Sequence, residues 1–179
     1  MAVSRRTATI VLLAEDSRQA KLVREYLARI GHRGHVRVNM APNGQGSGEQ
    51  YVREHYASEV NDARRQNWRR ICLITVVDAD TNTTAYRRRQ LIADPERSAS
   101  EPILVLVPKR NVETWILCLT NHAVDEDSDF RYDRRVHSSA IKTAASALFD
   151  WTRRNAAVPD SCVPSLRESL PEFDRIPAV

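Results

Sequence analysis

Several classes of protein are excluded by what this 179-residue chain lacks. It has only three cysteines, Cys72, Cys118 and Cys162, and their wide spacing without a C-x-x-C pair supports neither a disulfide framework nor a zinc site. No apolar run approaches the length that spans a bilayer. The basic residues 1–6 lead into a strand pattern too short for a signal peptide. We therefore expect a protein of the reducing cytoplasm, without a membrane segment.

Lysine is also scarce, because only three of the 27 basic residues are lysines and the others are arginines. The formal net charge is +4. Guanidinium groups suit bidentate contact with phosphate better than ammonium groups do. The arginines are grouped at Arg64–Arg65, Arg69–Arg70, Arg87–Arg89, Arg134–Arg135 and Arg153–Arg154. Any one group is typical of a solvated helix face, but together they permit contact with nucleic acid.

Strand and helix signals alternate over the first two thirds of the chain. Short apolar runs predict strands at 8–13, 36–41, 71–77 and 103–107, and helical spacing predicts helices at 17–30, 49–66, 81–93 and 112–119. This order predicts an α/β fold with a mostly parallel central sheet and helices on both faces. We expect one domain over residues 1–179, with its core at about 8–120 and a C-terminal helix and Pro-containing tail at 137–179.

Acidic residues follow the predicted strands at their carboxyl ends. Glu15 and Asp16 follow the first strand, Asp78 and Asp80 follow the third, and Glu113 lies shortly after the fourth. The carboxyl ends of parallel strands meet at one crevice, where ligands bind. Carboxylates gathered there repel each other unless a cation neutralises them, and oxygen ligands favour a hard ion. The pattern predicts a Mg²⁺ (or Mn²⁺) site with these five residues as ligands.

Each of these residues also has a purely structural interpretation. Asp78 and Asp80, two residues apart, would point to the same side of an extended strand, but aspartate also commonly caps turns and helices. Glu15 and Glu113 lie where a carboxylate stabilises a helix N-terminus. Lys109, just past the fourth strand, would stabilise charge on a phosphoryl oxygen or would simply be solvated.

Other motifs carry less information. The loop with Gly44, Gly46 and Gly48 lacks the Gly-Lys-Ser/Thr ending of a P-loop, so it would either offer N–H groups to a phosphate or form a mobile turn. No histidine falls in a recognisable nucleophile motif, which argues against hydrolysis by a catalytic triad. The three tryptophans lie beside apolar positions, where we expect core or interface roles.

Glu15 at the end of the first strand and the Asp78-x-Asp80 motif after a later one resemble the Toprim domain of topoisomerases, primases and OLD-type nucleases. The resemblance spans roughly residues 8–120, and Glu113 matches a glutamate that often begins the next helix in small Toprim-like proteins. It implies a metal-dependent nuclease, and it implies work beside a partner ATPase, for example in bacterial defence against phage. Two positions depart from the pattern: Asp16 replaces a common glycine, and Gln19 stands where OLD-type nucleases often have an acidic residue.

Residues 10–27 also resemble the opening of a response-regulator receiver, whose acidic pair binds Mg²⁺ and whose later aspartate accepts phosphate. The spacing then differs, because 62 residues separate Asp16 from Asp78 and 31 separate Asp78 from Lys109. We therefore rank a Toprim-like nuclease first, with Glu15, Asp78, Asp80, Glu113 and Lys109 as its catalytic residues. The alternatives are a non-catalytic interaction subunit and a receiver-like phospho-acceptor.

Overall fold

The structure is a computed structural model that describes residues 8–66 and 71–177. The Arg69–Arg70 pair and Trp68 lie outside the described residues. In these two ranges, four strands and six α-helices follow in chain order, and a short 3₁₀ helix comes last. They are β1 (Thr9–Ala14), α1 (Ser17–Arg29), β2 (Val36–Asn39), α2 (Gly48–Arg65), β3 (Ile71–Val76), α3 (Thr84–Ile92), β4 (Ile103–Leu106), α4 (Val112–Leu119), α5 (Ser138–Thr152), α6 (Pro164–Ser169) and the C-terminal 3₁₀ helix (Leu170–Arg175).

All four strands are parallel and lie in the order β2-β1-β3-β4. The chain moves outward from β1 to β2 and then returns across β1 to β3, so the direction of winding reverses between β1 and β3. In open α/β sheets this switch point opens a crevice at the carboxyl ends of the two strands. The register pairs Ala14 with Val76, the last residues of β1 and β3, so the segments that follow both strands start side by side.

Helices cover both faces of the sheet, as predicted. On one face, Leu12, Ile74 and Leu104 pack in a core that includes residues of α1, α4 and α5. On the other face, Leu13, Leu73 and Val105 pack against residues of α2 and α3. Strands buried on both sides are expected to be apolar at nearly every position, which explains the composition of β1 and of β3, where Thr75 is the one polar residue. The α/β class and the C-terminal helical tail are confirmed.

The side chains that begin the helices are short acceptors. Asp16 caps α1 by accepting from the N–H groups of Arg18 and Gln19, at 2.8 and 2.9 Å. Ser47 caps α2 in the same manner. The cap of α3 is Thr83, so the helix begins three residues after the start predicted at 81. Such shifts are common because several neighbouring polar residues compete for the same backbone donors.

Two further features concern the cysteines and the helices. Cys72, Cys118 and Cys162 are all buried, free thiols. Among the described residues, none of the helices combines the length and the apolar character needed to traverse a bilayer.

Candidate active site

Glu15 and Asp78 meet at the carboxyl edge of the sheet, above the switch point. Glu15 directly follows β1, and Asp78 lies two residues beyond β3. The backbone N–H of Asp78 donates a hydrogen bond to Oε2 of Glu15. The two carboxylates are 63 residues apart in the chain and are neighbours only because β1 and β3 are adjacent strands.

Gln19, in the first turn of α1, holds this pair together. Its side-chain Nε2 donates to Oε2 of Glu15 at 3.2 Å and to Oδ1 of Asp78 at 2.9 Å. Its Oε1 accepts from the backbone N–H of Glu15 at 2.9 Å. Gln19 is fully buried, so these bonds replace the hydration that its amide loses on folding. One amide group therefore orients both carboxylates.

The pair is electrostatically unfavourable without a counter-charge. Burial raises the pKa of Glu15 to about 7, and the charges of Asp16 and Glu49 add to the increase. Burial, followed by the charge of Glu15, raises the pKa of Asp78 well above its usual range. Two buried carboxylates at one site resist double ionisation, and a bound cation removes that resistance.

Glu113 lies nearby but is held by a different partner. It is 1% exposed and sits in the first turn of α4. Its Oε1 accepts from Nη1 of Arg18 at 2.6 Å, while its buried Oε2 has no hydrogen-bond partner among the described residues. Burial raises the pKa of Glu113, and the bond from Arg18 opposes that increase. The charge of Glu113 in turn contributes to the raised pKa of Asp78, so the two groups belong to one electrostatic environment.

The other predicted ligands and the predicted lysine are engaged elsewhere. Asp80 has a left-handed backbone conformation, with φ at 56°, and its carboxylate pairs with Arg110. Because the chain turns there, Asp80 does not share the hydrogen-bond partners of Asp78. Asp16 caps α1, and Lys109 pairs with Asp127 at 3.0 Å. The structure thus brings Glu15 and Asp78 together, keeps Glu113 close, and gives the remaining residues separate partners.

The glycine-containing loop ends at this site. Gly48, the first residue of α2, packs so closely on the backbone of Glu15 that an added Cβ would lie 2.9 Å from the Glu15 Cα and nearer still to its carbonyl oxygen. Only glycine allows this approach. Gly44 and Gly46, by contrast, have left-handed φ values of 77° and 74° and face open space.

The Glu15–Asp78 pair fits Mg²⁺ better than it fits a softer ion. In the ranges 8–66 and 71–177, no group of three or more His, Cys, Asp or Glu side chains forms a ready-made metal cage. Mg²⁺, however, commonly binds through one or two carboxylates and takes its other ligands from water and from substrate phosphates. Two adjacent carboxylates at the carboxyl edge of the sheet are consistent with that mode of binding.

Three contributors to the site are not evident from the sequence. Gln19 departs from the Toprim pattern, although a polar residue at a buried position of α1 is itself a signal. The sequence does not distinguish Arg18 and Arg110 from the many other arginines, because their partners Glu113 and Asp80 are distant in sequence. Long-range ion pairs of this kind leave no local pattern.

Comparisons with family models, with curated proteins and with solved structures find no match to this chain.

Proposed function

We propose that this protein is a Mg²⁺- or Mn²⁺-dependent hydrolase that cleaves phosphodiester bonds of nucleic acid. The observation that carries the proposal is the buried Glu15–Asp78 pair, joined by Gln19 at the switch point of a parallel sheet. Two adjacent carboxylates with raised pKa values at the switch point of a parallel sheet are typical of a functional site.

The residues of the site would have different roles. Glu15 and Asp78 would hold the ion, with Gln19 fixing the orientation of both carboxylates. When bound, the ion would lower the pKa of a water and neutralise charge on the phosphate oxygens. Arg18, at the rim of the site, would contact the phosphate backbone, since its guanidinium already binds two oxygens there.

The cations after β4 would support this binding. Lys109 and Arg110 are half-buried and each pairs with one carboxylate, Asp127 and Asp80 respectively. A phosphate entering the site would compete for both cations, so binding would depend on salt but hardly on sequence.

A Toprim-like role beside a partner ATPase, in bacterial defence against phage, is part of this proposal. So is a cytoplasmic location, which three free buried thiols support.

A non-catalytic interaction subunit is the second candidate, and one observation favours it. The amide of Gln19 donates to both carboxylates and so occupies acceptor positions that a metal would need. If the site is vestigial, the purified protein will show no specific binding of Mn²⁺ in a calorimetric titration.

The test of the first proposal is cleavage of labelled DNA and RNA in the presence of Mg²⁺ or Mn²⁺. We expect Glu15→Gln and Asp78→Asn each to lose more activity than the roughly 100-fold that loss of a supporting residue causes. Asp80→Asn should lose much less, because that carboxylate pairs with Arg110 instead. Asp62→Asn, on the far part of α2 and paired with Arg65, is the matched control and should cleave like the wild type. Full activity of Asp78→Asn would refute the proposal.

A further inference from the structure

The loop between α4 and α5 carries an exposed aromatic side chain beside the candidate site. Tyr132 is 88% exposed. Among the described residues the other large hydrophobic side chain left exposed is Tyr86, at 48%. We call residues 130–136, with Tyr132 near their middle, the rim turn.

The rim turn is anchored at both ends. Phe130 packs against the core, and Val136 is buried in it. The N–H of Asp133 donates to the carbonyl of Phe130 at 2.9 Å, and the N–H of Val136 donates to the carbonyl of Asp133 at 3.1 Å. Tyr132 is therefore presented on a fixed turn, and a ligand that binds it loses little free energy in ordering the loop.

A chain of contacts ties the rim turn to the candidate site. The carbonyl oxygen of Arg131 accepts from Nη1 of Arg18, the same nitrogen that donates to Glu113. Just before the turn, Asp129 accepts from the side-chain amide of Asn111, the residue that precedes α4. Tyr132 thus directly follows a residue whose carbonyl oxygen is bound by Arg18.

The three arginines of the rim turn differ in their partners, and the acidic residues 125–129 directly precede the turn. In the part of the chain that the structure describes, no carboxylate pairs with the guanidinium of Arg131 or of Arg134, and both residues are exposed. Arg135 alone of the three arginines is neutralised, by Asp133. An aromatic ring flanked by free guanidinium groups matches a ligand with flat bases and a phosphate backbone.

We propose that Tyr132 stacks on an unpaired base of a single-stranded nucleic acid, while Arg131 and Arg134 hold the phosphates on either side. This inference rests on the proposed function and specifies its substrate class. The bases of a duplex are already stacked on each other, so an exposed ring gains a base only from a single strand or a frayed end. The rim turn would then lead the strand toward Glu15 and Asp78.

Fluorescence anisotropy measures binding of the oligonucleotide to the protein. A chelator removes divalent metal, so that no cleavage occurs during the measurement. The probes are a labelled oligo-dT of roughly 15 nucleotides, within the size of single-strand sites, and a duplex of the same length. Wild-type protein should bind the single strand more tightly. Tyr132→Ala should weaken that binding on the order of 10-fold or more, and Tyr132→Phe should restore most of it.

Tyr86→Ala is the matched control. Tyr86 is also exposed, but its neighbours Arg87 and Arg88 pair with Glu49 and Glu172. Its removal should leave binding at the wild-type value. The inference is overturned if Tyr132→Ala binds like the wild type, if Tyr86→Ala loses as much, or if the wild type fails to prefer the single strand.

Parallel cleavage assays in Mg²⁺ separate the two proposals. The wild type could bind the single strand through Tyr132 and yet cleave nothing. That result would contradict the proposed function and support the rim turn as a binding surface. Cleavage of a single strand that is unaffected by Tyr132→Ala supports the hydrolase and rejects the rim turn.

Discussion

At the scale of single residues, Gln19 is the feature that makes the carboxylate pair possible. A buried carboxylate without a hydrogen-bond donor is destabilising, and here one side-chain amide donates to two carboxylates. A carboxylate at this position would remove those donors. Gln19 thus lowers the free energy needed to bring Glu15 and Asp78 together.

Replacing Gln19 by glutamate should make the stability of the protein depend on divalent metal. A third carboxylate would replace two hydrogen bonds with repulsion, so we expect the free energy of unfolding without metal to fall by about 2 kcal/mol. Mg²⁺ or Mn²⁺ should restore much of this loss, because binding to the folded state alone stabilises it. Thermal melting with and without metal measures the effect.

The control for this variant is Gln45→Glu, in the exposed loop before α2. It adds the same charge away from the pair and should melt like the wild type in both conditions. A Gln19→Glu protein whose melting temperature does not respond to metal would show that the pair binds no cation.

Single residues were predictable only where their position along the chain defines their place in the fold. Glu15 and Asp78 could be selected because each follows a strongly apolar strand. Asp80 was selected by the same reasoning, but its left-handed backbone and its bond to Arg110 depend on a turn that the spacing does not reveal. The function of all three remains a prediction.

At the scale of elements, the start of α2 is built against the end of β1. Ser47 caps the helix, and Gly48 then lies on the backbone of Glu15 without room for a side chain. The loop before it needs two left-handed glycines, Gly44 and Gly46. The three glycines therefore serve two different purposes, turn formation and close packing.

Gly48→Ala should impair the site as well as the fold. The added methyl group would collide with the Glu15 backbone, and accommodating it should cost about 1–3 kcal/mol. Because the displaced residue carries a carboxylate of the pair, Mg²⁺-dependent cleavage should fall with it. Chemical denaturation and the cleavage assay together measure both effects.

Gly44→Ala provides the comparison, since it adds the same methyl group where nothing lies within 4 Å. Its cost is the strain of a left-handed alanine, about 1 kcal/mol, and cleavage should be unchanged. Equal loss of cleavage in both variants would mean that the loop, and not the packing on Glu15, is what matters.

The elements themselves were largely predictable. The helix expected at 112–119 is found as α4, and the other predicted bounds differ from the observed ones by no more than three residues. Hydrophobic periodicity is a local property, and so are the caps and glycines that end helices. The errors lie at element ends, where competing caps such as Thr83 decide the outcome.

At the scale of the whole molecule, the C-terminal 3₁₀ helix closes the outer edge of β4. Glu172 accepts from the backbone N–H of Val105 at 2.9 Å and pairs with Arg97. Arg88 donates to the carbonyl of Val105, also at 2.9 Å. Side chains thus satisfy backbone groups that an open edge strand would offer to another chain.

Glu172→Gln should therefore loosen the tail and weaken the fold in a pH-dependent way. Burial by itself raises the pKa of Glu172, but the bonds from Arg97 and Val105 outweigh it, so that the pKa lies below the usual 4.5. A carboxyl with a lowered pKa stabilises the folded state above its unfolded pKa. That contribution is lost as the pH falls through the folded value.

We expect Glu172→Gln to lower the free energy of unfolding by about 3 kcal/mol at neutral pH, because Arg97 loses its buried partner. The difference from the wild type should shrink steadily as the pH falls below 4.5. Urea denaturation of both proteins between neutral pH and acid checks this. A difference that stays constant over the whole range would contradict the role assigned to the ion pair.

The α/β class, the parallel strands and the site-bearing strand ends follow from local patterns along the chain, since periodicity and capping act over a few neighbouring residues. The order β2-β1-β3-β4, the bridge from Gln19 to Asp78, the tie between Arg18 and Glu113 and the position of Tyr132 do not. Each depends on contacts between segments tens of residues apart. Packing selects among such contacts by burial, charge and available space, and a linear pattern does not record that choice.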